Sequence, residues 1–226
     1  MDPRLVEVLE SAARLQQLVP DAVLVGGSAA AYYARHRVSF DHDHVVPRLA
    51  DTYDMVLDAL EREPEWVTNR VTSGRIILGE LGGIESGVRQ LIRTTPLEVA
   101  EFRVGTGRTV RVPTFEETLR IKAFLVVKRN QVRDYLDVAA LADSLGLDRA
   151  ADVLNRMDRY YADQARGHDA VSSQVVRQLG SPRPKDSRTL KRLPGYKGLT
   201  PKWHNWCSVR DTLTDLAATM IERRGR

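Results

Sequence analysis

Apolar residues recur at helical spacing from Leu5 to Leu18, directly after an Asp2-Pro3 pair that is typical of a helix start. Pro20 ends this pattern, so a first helix is predicted between the two prolines. The short apolar run Ala22–Val25 then predicts a strand. The chain therefore opens with a helix followed by a buried strand.

A glycine pair, Gly26-Gly27, closes that strand, and Ser28 is placed to cap a second helix from Ala29 to about His36. A second strand is predicted over Phe40–Val46 and a third helix over Thr52–Glu61. Further on, short β-rich runs separated by glycines predict a sheet, and helical spacing follows to the end of the chain. The runs are Arg75–Leu78, Val88–Ile92, Pro96–Phe102 and Thr109–Val112; the helices are Leu119–Val127 behind a Thr114–Glu117 capping box, Val132–Leu145, Asp148–Tyr161, Ser172–Leu179 and Val209–Glu222.

This order predicts an α+β fold in which a small mixed sheet with flanking helices, residues 1–112, precedes an all-helical region, residues 113–226. Composition supports a globular chain, because 42% of the 226 residues are hydrophobic and 28% are charged. A single cysteine, Cys207, excludes an internal disulfide. The acidic start and the lack of any apolar run near the ~18 residues of a spanning helix lead us to expect a cytoplasmic protein without membrane contact.

The formal net charge of +4 conceals a basic segment between residues 177 and 210. It contains nine lysines and arginines and one acid, Asp186. Such a concentration of positive charge suits a polyanion, because neutralised phosphates release counterions. A solvated basic surface without a ligand explains the charge equally well.

Chemistry is indicated by Gly26-Gly27-Ser28 between a strand and a helix, followed by Asp41-His42-Asp43-His44 on the next predicted strand. Alternate side chains of a strand share a face, so Asp41 and Asp43 can bind one divalent cation, whose charge relieves their mutual repulsion. Glycines let a nucleotide approach the backbone, and free amides at a helix start attract its phosphates. Each piece alone also occurs as a surface acid pair or an ordinary turn.

The combination resembles the polymerase-β-like nucleotidyltransferases, in which Gly-Gly/Ser precedes Asp-x-Asp by about a dozen residues. Three later elements, Lys122-Ala123, Lys128-Arg129 and Arg133-Asp134-Tyr-Leu-Asp137, are similar to the run Lys-x-x-Ala, Arg, Arg-Asp-x-x-Asp of the AbiEii-type nucleotidyltransferase toxins of bacterial toxin–antitoxin systems. Ser39-Phe-Asp41-His-Asp43 fits the Ser-x-Asp-x-Asp strand of that family. The aromatic tail resembles a mycobacterial subgroup more loosely.

The resemblance implies a Mg²⁺-dependent enzyme, with Mn²⁺ as a substitute, that adds nucleotides from an NTP to the three-prime end of tRNA and so blocks translation. Related members use pyrimidine nucleotides. It also implies a cognate antitoxin. In some members the antitoxin silences the toxin by phosphorylating the serine that matches Ser39, and in others it binds the toxin without modifying it, so the resemblance leaves the route open. The residues carried over are Asp41 and Asp43 as metal ligands, Lys122 and Asp134 as further catalytic groups, and Gly26, Gly27, Ser28, Ser39 and Lys122 at the nucleotide. Contact with tRNA is assigned to Lys185, Arg188, Lys191, Arg192 and Lys197 in the basic segment.

Two features depart from the family pattern. His42 and His44 replace apolar residues, and strand alternation sends both imidazoles away from the aspartates, into the core. A third metal carboxylate is not evident, and Glu98 and Glu101 are the candidates. Two rival hypotheses remain: nucleotide transfer to a small molecule or a protein, and a non-catalytic module that only binds nucleotides.

Overall fold

The structure is a computed structural model and describes residues 2–165 and 169–224. It divides into two compact units, one of Met1–Tyr32 with Val38–Thr114, the other of Tyr33–Arg37 with Phe115–Arg226. The five residues 33–37, which the sequence placed in the core domain, thus belong to the helical unit. Within the described ranges, no helix combines the length and apolar character needed to cross a bilayer.

The first unit contains a five-stranded mixed sheet in the order β1-β2-β5-β4-β3 and a separate antiparallel pair, β6-β7. In the larger sheet only β2 and β5 run parallel. Helices α1 and α3 bury apolar faces in a core that includes Leu15, Leu60 and Ile77. The elements are α1 (Pro3–Leu18), β1 (Val23–Val25), α2 (Gly26–Ala34), β2 (His42–Val46), α3 (Leu49–Glu61), β3 (Trp66–Thr72), β4 (Ile76–Leu81), β5 (Ile84–Gln90), β6 (Val99–Arg103) and β7 (Thr109–Pro113).

The first helix forms as predicted, with the Asp2 side chain accepting from the amide of Arg4 and Pro3 in the first turn. Two predicted starts were wrong. Helix α2 begins at Gly26, so Ser28 lies inside its first turn instead of capping it. Strand β2 begins at His42, so Asp41 precedes the strand.

Strand β3 was missed altogether. It lies at the edge of the sheet, and every residue after Trp66 in it is exposed. An edge strand with both faces in water has no alternation of apolar and polar residues for a pattern to detect.

The second unit is helical, as predicted. The helix predicted over 148–161 divides in two, because the backbone turns at Arg156 and buries Met157. A nine-residue 3₁₀ helix, Ser187–Gly195, was not predicted. The helices are α4 (Phe115–Arg129), α5 (Val132–Leu145), α6 (Leu147–Asn155), α7 (Asp158–Tyr161), α8 (Val171–Gly180) and α9 (Trp206–Arg224), with shorter 3₁₀ turns at Ala162–Gln164 and Pro201–Trp203.

The buried imidazoles of β2 give the first unit a dependence on pH. Burial lowers the pKa of His42 to about 4. In the unfolded chain this imidazole binds a proton near pH 6.5. The contribution of His42 to the free energy of unfolding is therefore fully present above that pH and is lost as the pH falls toward 4. We expect His42 to account for up to about 3 kcal/mol of the free energy of unfolding lost over this interval.

Urea titrations between pH 4 and 7.5 test this expectation on the native chain and on His42→Gln, which retains a polar side chain but does not titrate. The variant should lose less stability on acidification. Parallel curves for the two proteins would contradict the assignment.

Candidate active site

Asp43 lies in a gap left open by two glycines, one at the start of α2 and one in the neighbouring strand β5. It pairs with Val25 of β1, directly before Gly26, and with Gly87 of β5. A Cβ on Gly87 would lie 2.7 Å from the Asp43 Oδ1 atom, and one on Gly26 would lie 3.5 Å from Oδ2. A side chain at residue 87 would therefore displace the carboxylate. Sequence reasoning took Gly87 for a turn residue, whereas it occupies the middle of a strand.

Asp41 is held at the entry to the same strand by two serines. Ser39 Oγ donates to Asp41 Oδ1 at 2.8 Å, and Ser28 Oγ donates to the Asp41 carbonyl at 2.5 Å. Helix α2 starts at Gly26 and Gly27, so its first amides lie beside the acid-bearing strand. The first unit thus brings together the glycines, both serines and both aspartates predicted from the sequence.

Ser39 itself is buried, with 1% of its surface exposed. It precedes the strand, so the expected alignment of Ser39, Asp41 and Asp43 on one continuous strand was wrong. Its hydroxyl nevertheless reaches the Asp41 carboxylate directly.

The histidines of β2 lie on its inner face. His42 and His44 are buried, whereas Asp41 and Asp43 are partly exposed. His42 Nε2 lies 3.0 Å from Ser11 Oγ and 2.9 Å from Ser86 Oγ. Burial lowers the pKa of His44 well below its ordinary value, so both rings are neutral. The buried imidazoles are thus separated from the acids by strand alternation, and His42 contacts two serine hydroxyls.

The aspartate pair fits a divalent cation in donor chemistry, because hard cations take carboxylate oxygens and the glycine gap leaves the Asp43 carboxylate accessible. Arg89 Nε lies 3.3 Å from Asp43 Oδ1 and offsets part of the negative charge. Among residues 2–165 and 169–224, no three His, Cys, Asp or Glu side chains are grouped to hold a metal. Neither Glu98, before β6, nor exposed Glu101, opposite Arg111 in β7, therefore completes a three-carboxylate site in this structure.

A cluster of buried charges forms the centre of the second unit. Asp137 of α5 has no exposed surface, and its carboxylate lies 2.7 Å from Lys122 Nζ of α4 and 2.8 Å from Arg37 Nε. His36 Nε2 lies 2.7 Å from the same carboxylate. Burial alone would raise the pKa of Asp137, but Arg37 and Lys122 hold it well below its ordinary value. Burial lowers the pKa of His36, so a neutral ring donates to Asp137.

Asp134 is the acid that the family resemblance selected beside Lys122, yet Asp137 is the one paired with that lysine. Asp134 is completely buried, and neither of its carboxyl oxygens has a hydrogen-bond partner in the described chain. Burial raises its pKa. Of these two buried acids of α5, Asp137 is ionised, whereas burial shifts Asp134 toward its neutral form.

The sequence did contain a signal for Asp137, since it ends the Arg-Asp-x-x-Asp run on which the resemblance depends. Nothing in the pattern pointed to His36 or Arg37, which come from a segment far away along the chain.

The five cations predicted to contact tRNA lie in or beside the 3₁₀ helix Ser187–Gly195. Arg188, Lys191 and Arg192 line a cavity with Thr189 and Tyr196. Lys185 and Lys197 are not among its lining residues. Trp203 is buried and packs in the unit, and Trp206 contacts the ring of Tyr135 edge-on at 6.0 Å.

Solved structures with a similar fold include MenT4, a nucleotidyltransferase toxin from Mycobacterium tuberculosis. It matches 96% of this chain and 83% of its own with a TM-score of 0.59 and 16% identity. The antibiotic-resistance factor ANT(2'')-Ia matches 73% of this chain and 96% of its own with a TM-score of 0.51 and 14% identity. The chain has the nucleotidyltransferase fold. The fold class predicted from the sequence is therefore confirmed.

Comparison of sequences finds relatives that are described as transport proteins and not as nucleotidyltransferases. The heme uptake protein MmpL11 of M. tuberculosis is 30% identical over 95% of this chain, and the MmpL11 lipid exporter of Mycolicibacterium smegmatis is 34% identical over 58% of it. These matches cover 22% and 13% of those proteins, so the chain spans at most about a fifth of their length. No protein-family model matches the chain.

Neutralisation of the two buried acids of α5 should change the stability of the protein by very different amounts. Asp137→Asn leaves Lys122 and Arg37 buried without their counter-charge, which is expected to cost about 3–5 kcal/mol of the free energy of unfolding. Asp134→Asn removes a buried carboxyl group that has no hydrogen-bond partner, so a change within about 1 kcal/mol is expected. Urea unfolding of the two variants at pH 7 checks the difference. Equal stabilities would show that the Asp137 pairs contribute nothing to the fold.

Proposed function

We propose that the chain is a nucleotidyltransferase toxin that transfers nucleotides from an NTP to the three-prime end of tRNA. The observation that carries the proposal is the conjunction, within one fold, of the glycine-flanked Asp41–Asp43 pair and the start of α2. The similarity of fold to MenT4 over nearly the whole chain supports the toxin assignment. The basic segment provides the positive charge that a polyanionic substrate requires.

In this mechanism Asp41 and Asp43 would hold Mg²⁺, which would neutralise negative charge on the reacting phosphates. The residues of the chain have three tasks. The first amides of α2 bind phosphate oxygens at a helix start. Ser39 and Ser28 fix Asp41 in position. Lys122, which the family resemblance assigns to the nucleotide, is oriented by its contact with Asp137.

Asp134 would take the proton of the attacking hydroxyl. A carboxyl group with a raised pKa is a stronger base than an ordinary aspartate once it is ionised, which suits this role. Neither oxygen has a hydrogen-bond partner in the described chain, so both can accept a proton once the buried carboxyl group is reached by the substrate.

The decisive test is incubation with each labelled NTP, Mg²⁺ or Mn²⁺, and total tRNA, followed by sequencing of the RNA ends. Asp41→Asn retains the shape of the side chain but removes its charge, and should reduce the transfer rate by roughly a hundredfold or more. Asp54→Asn, at an exposed position of α3, serves as the matched control and should be unaffected. Near-normal transfer by Asp41→Asn would overturn the proposed site.

A second candidate acceptor is a small molecule, favoured by the fold shared with the antibiotic-resistance factor ANT(2'')-Ia. The same labelled NTPs offered with cell metabolites and with cell protein distinguish the acceptors. Label in a small-molecule fraction, with none on RNA, would replace tRNA in the proposal.

We also propose that charge at Ser39 turns the enzyme off, as a phosphate added by an antitoxin would. The Ser39 hydroxyl touches the Asp41 carboxylate, so an added negative charge would repel Asp41 and any bound triphosphate. Because Ser39 is buried, the segment around it must open before a modifying enzyme can reach the hydroxyl.

Three substitutions separate charge from size. Ser39→Asp should abolish transfer, its neutral isostere Ser39→Asn should retain more activity, and Ser39→Ala should lose only the hydrogen bond to Asp41. Transfer rates measured at saturating Mg²⁺ give the comparison. Full activity in Ser39→Asp would exclude control through this residue.

A further inference from the structure

Not all cations of the basic segment are available to bind a ligand. Three of its nine cations are already paired with carboxylates, since Arg177 contacts Asp169, Lys202 contacts Asp143 and Arg210 contacts Asp211. These three lie at the two ends of the segment. Arg188, Lys191 and Arg192, all within the 3₁₀ helix, lie between these paired ends and are exposed.

The 3₁₀ helix separates apolar from basic residues by its period of three. With three residues per turn, Leu190 and Leu193 fall on one side, and Leu193 is completely buried. Arg188, Lys191 and Arg192 fall on the other sides and are exposed. Packing of the leucines thus fixes the direction in which the cations project.

These three cations converge on one concave site. Together with Thr189 and Tyr196 they line a cavity of about 690 Å³, a size typical of small-ligand sites. Within residues 2–165 and 169–224, no carboxylate forms an ion pair with Arg188, Lys191 or Arg192. Three like charges around one cavity repel one another, and an anion in the cavity removes that repulsion.

The cavity wall is anchored to the turn between α4 and α5. The Asp186 carboxylate accepts from the amide of Val132, the first residue of α5, at 2.8 Å. The amide of Lys185 donates to the carbonyl of Asn130, also at 2.8 Å. Helix α5 carries Asp134 and Asp137, so the cavity is tied directly to the helix of the buried acids.

A second link follows the 3₁₀ helix, where the amide of Thr200 donates to the carbonyl of His36 at 2.8 Å, and the His36 ring contacts Asp137. The cavity therefore lies beside the Lys122–Asp137–Arg37 cluster within the same unit.

We propose that this cavity is a binding site for a polyphosphate chain, either the triphosphate of an NTP or the pyrophosphate that nucleotidyl transfer releases. A polyphosphate places several negative charges within a few ångströms, which matches three cations on adjacent rows of one short helix. This proposal deepens the proposed function. It rests on that function only for the source of the polyphosphate, which is either the NTP substrate or the released pyrophosphate.

An RNA strand fits this cavity less well. Non-specific binding of single strands combines a basic track with aromatic rings on which successive bases stack. Tyr196 is the one aromatic residue among the lining residues of the cavity, and the nearby Trp203 is buried. The open cations are also gathered at one point and not spread along a track.

The test is calorimetric titration of the full chain with inorganic tripolyphosphate in buffer containing EDTA, so that no metal contributes. Lys191→Gln/Arg192→Gln removes two cations of the cavity and should weaken tripolyphosphate binding at least about tenfold. Arg177→Gln/Lys202→Gln removes the same charge from paired, exposed positions and should change binding by less than about twofold. Equal weakening in both double variants would mean a general charge effect and would overturn the proposal.

Further titrations identify the source and separate this proposal from the proposed function. Binding of an NTP more tightly than tripolyphosphate supports the substrate as the source, and equal binding of pyrophosphate supports the product. Loss of tRNA binding in the cavity variant, with tripolyphosphate binding intact, would assign the cations to RNA instead. If the protein binds tripolyphosphate through this cavity but transfers no nucleotide to any acceptor, the proposed enzyme activity is refuted and the proposed polyphosphate site is supported.

Discussion

The helical unit is organised around the negative charge of Asp137. This carboxylate is fully buried, and three groups from two other parts of the chain surround it: Lys122 from α4, with His36 and Arg37 from the segment after α2. A buried charge is tolerated only when partners replace its water, so these contacts restrict how α4, α5 and residues 33–37 can pack. That requirement explains why residues 33–37, which lie far before α4 along the chain, join the helical unit.

The first unit depends on a simpler constraint, the two faces of β2. Along this strand the inner face carries two imidazoles where an apolar side chain is usual, and burial makes them neutral. The outer face carries Asp43 between Gly26, at the start of α2, and Gly87 of β5. Exchange of the two faces by a shift of one residue would bury the acids, so the register of the strand determines whether a cation can reach them.

Much of this could be predicted from the sequence, because the strongest signals are local. The first helix, the strand before Gly26 and helix α5 have clear periodicity and end signals, and their bounds were predicted closely. Likewise, alternation along the strand predicted that His42 and His44 would be buried and the aspartates more exposed. These inferences require only neighbours along the chain.

What the sequence did not predict depends on contacts between distant residues. Nothing local marks Arg37 as a partner of Asp137, which lies 100 positions away. Gly87 was read as a turn because a glycine shows its function only when the opposing carboxylate is placed against it. The 3₁₀ helix has just two leucines to define its period, too few to distinguish it from a loop.

The charges of the second unit are the physical basis for the polyphosphate ligand proposed there. With His36 neutral and Asp137 ionised, Lys122 and Arg37 leave one positive charge in excess. Asp134 could cancel it, but burial disfavours its charged form. Arg188, Lys191 and Arg192 add further positive charge at the cavity beside this cluster. An anion bound there would offset the excess charge and would also lower the local positive potential that favours ionisation of Asp134. The polyphosphate proposed for this cavity would therefore raise the pKa of Asp134, the acid that is proposed to accept a proton.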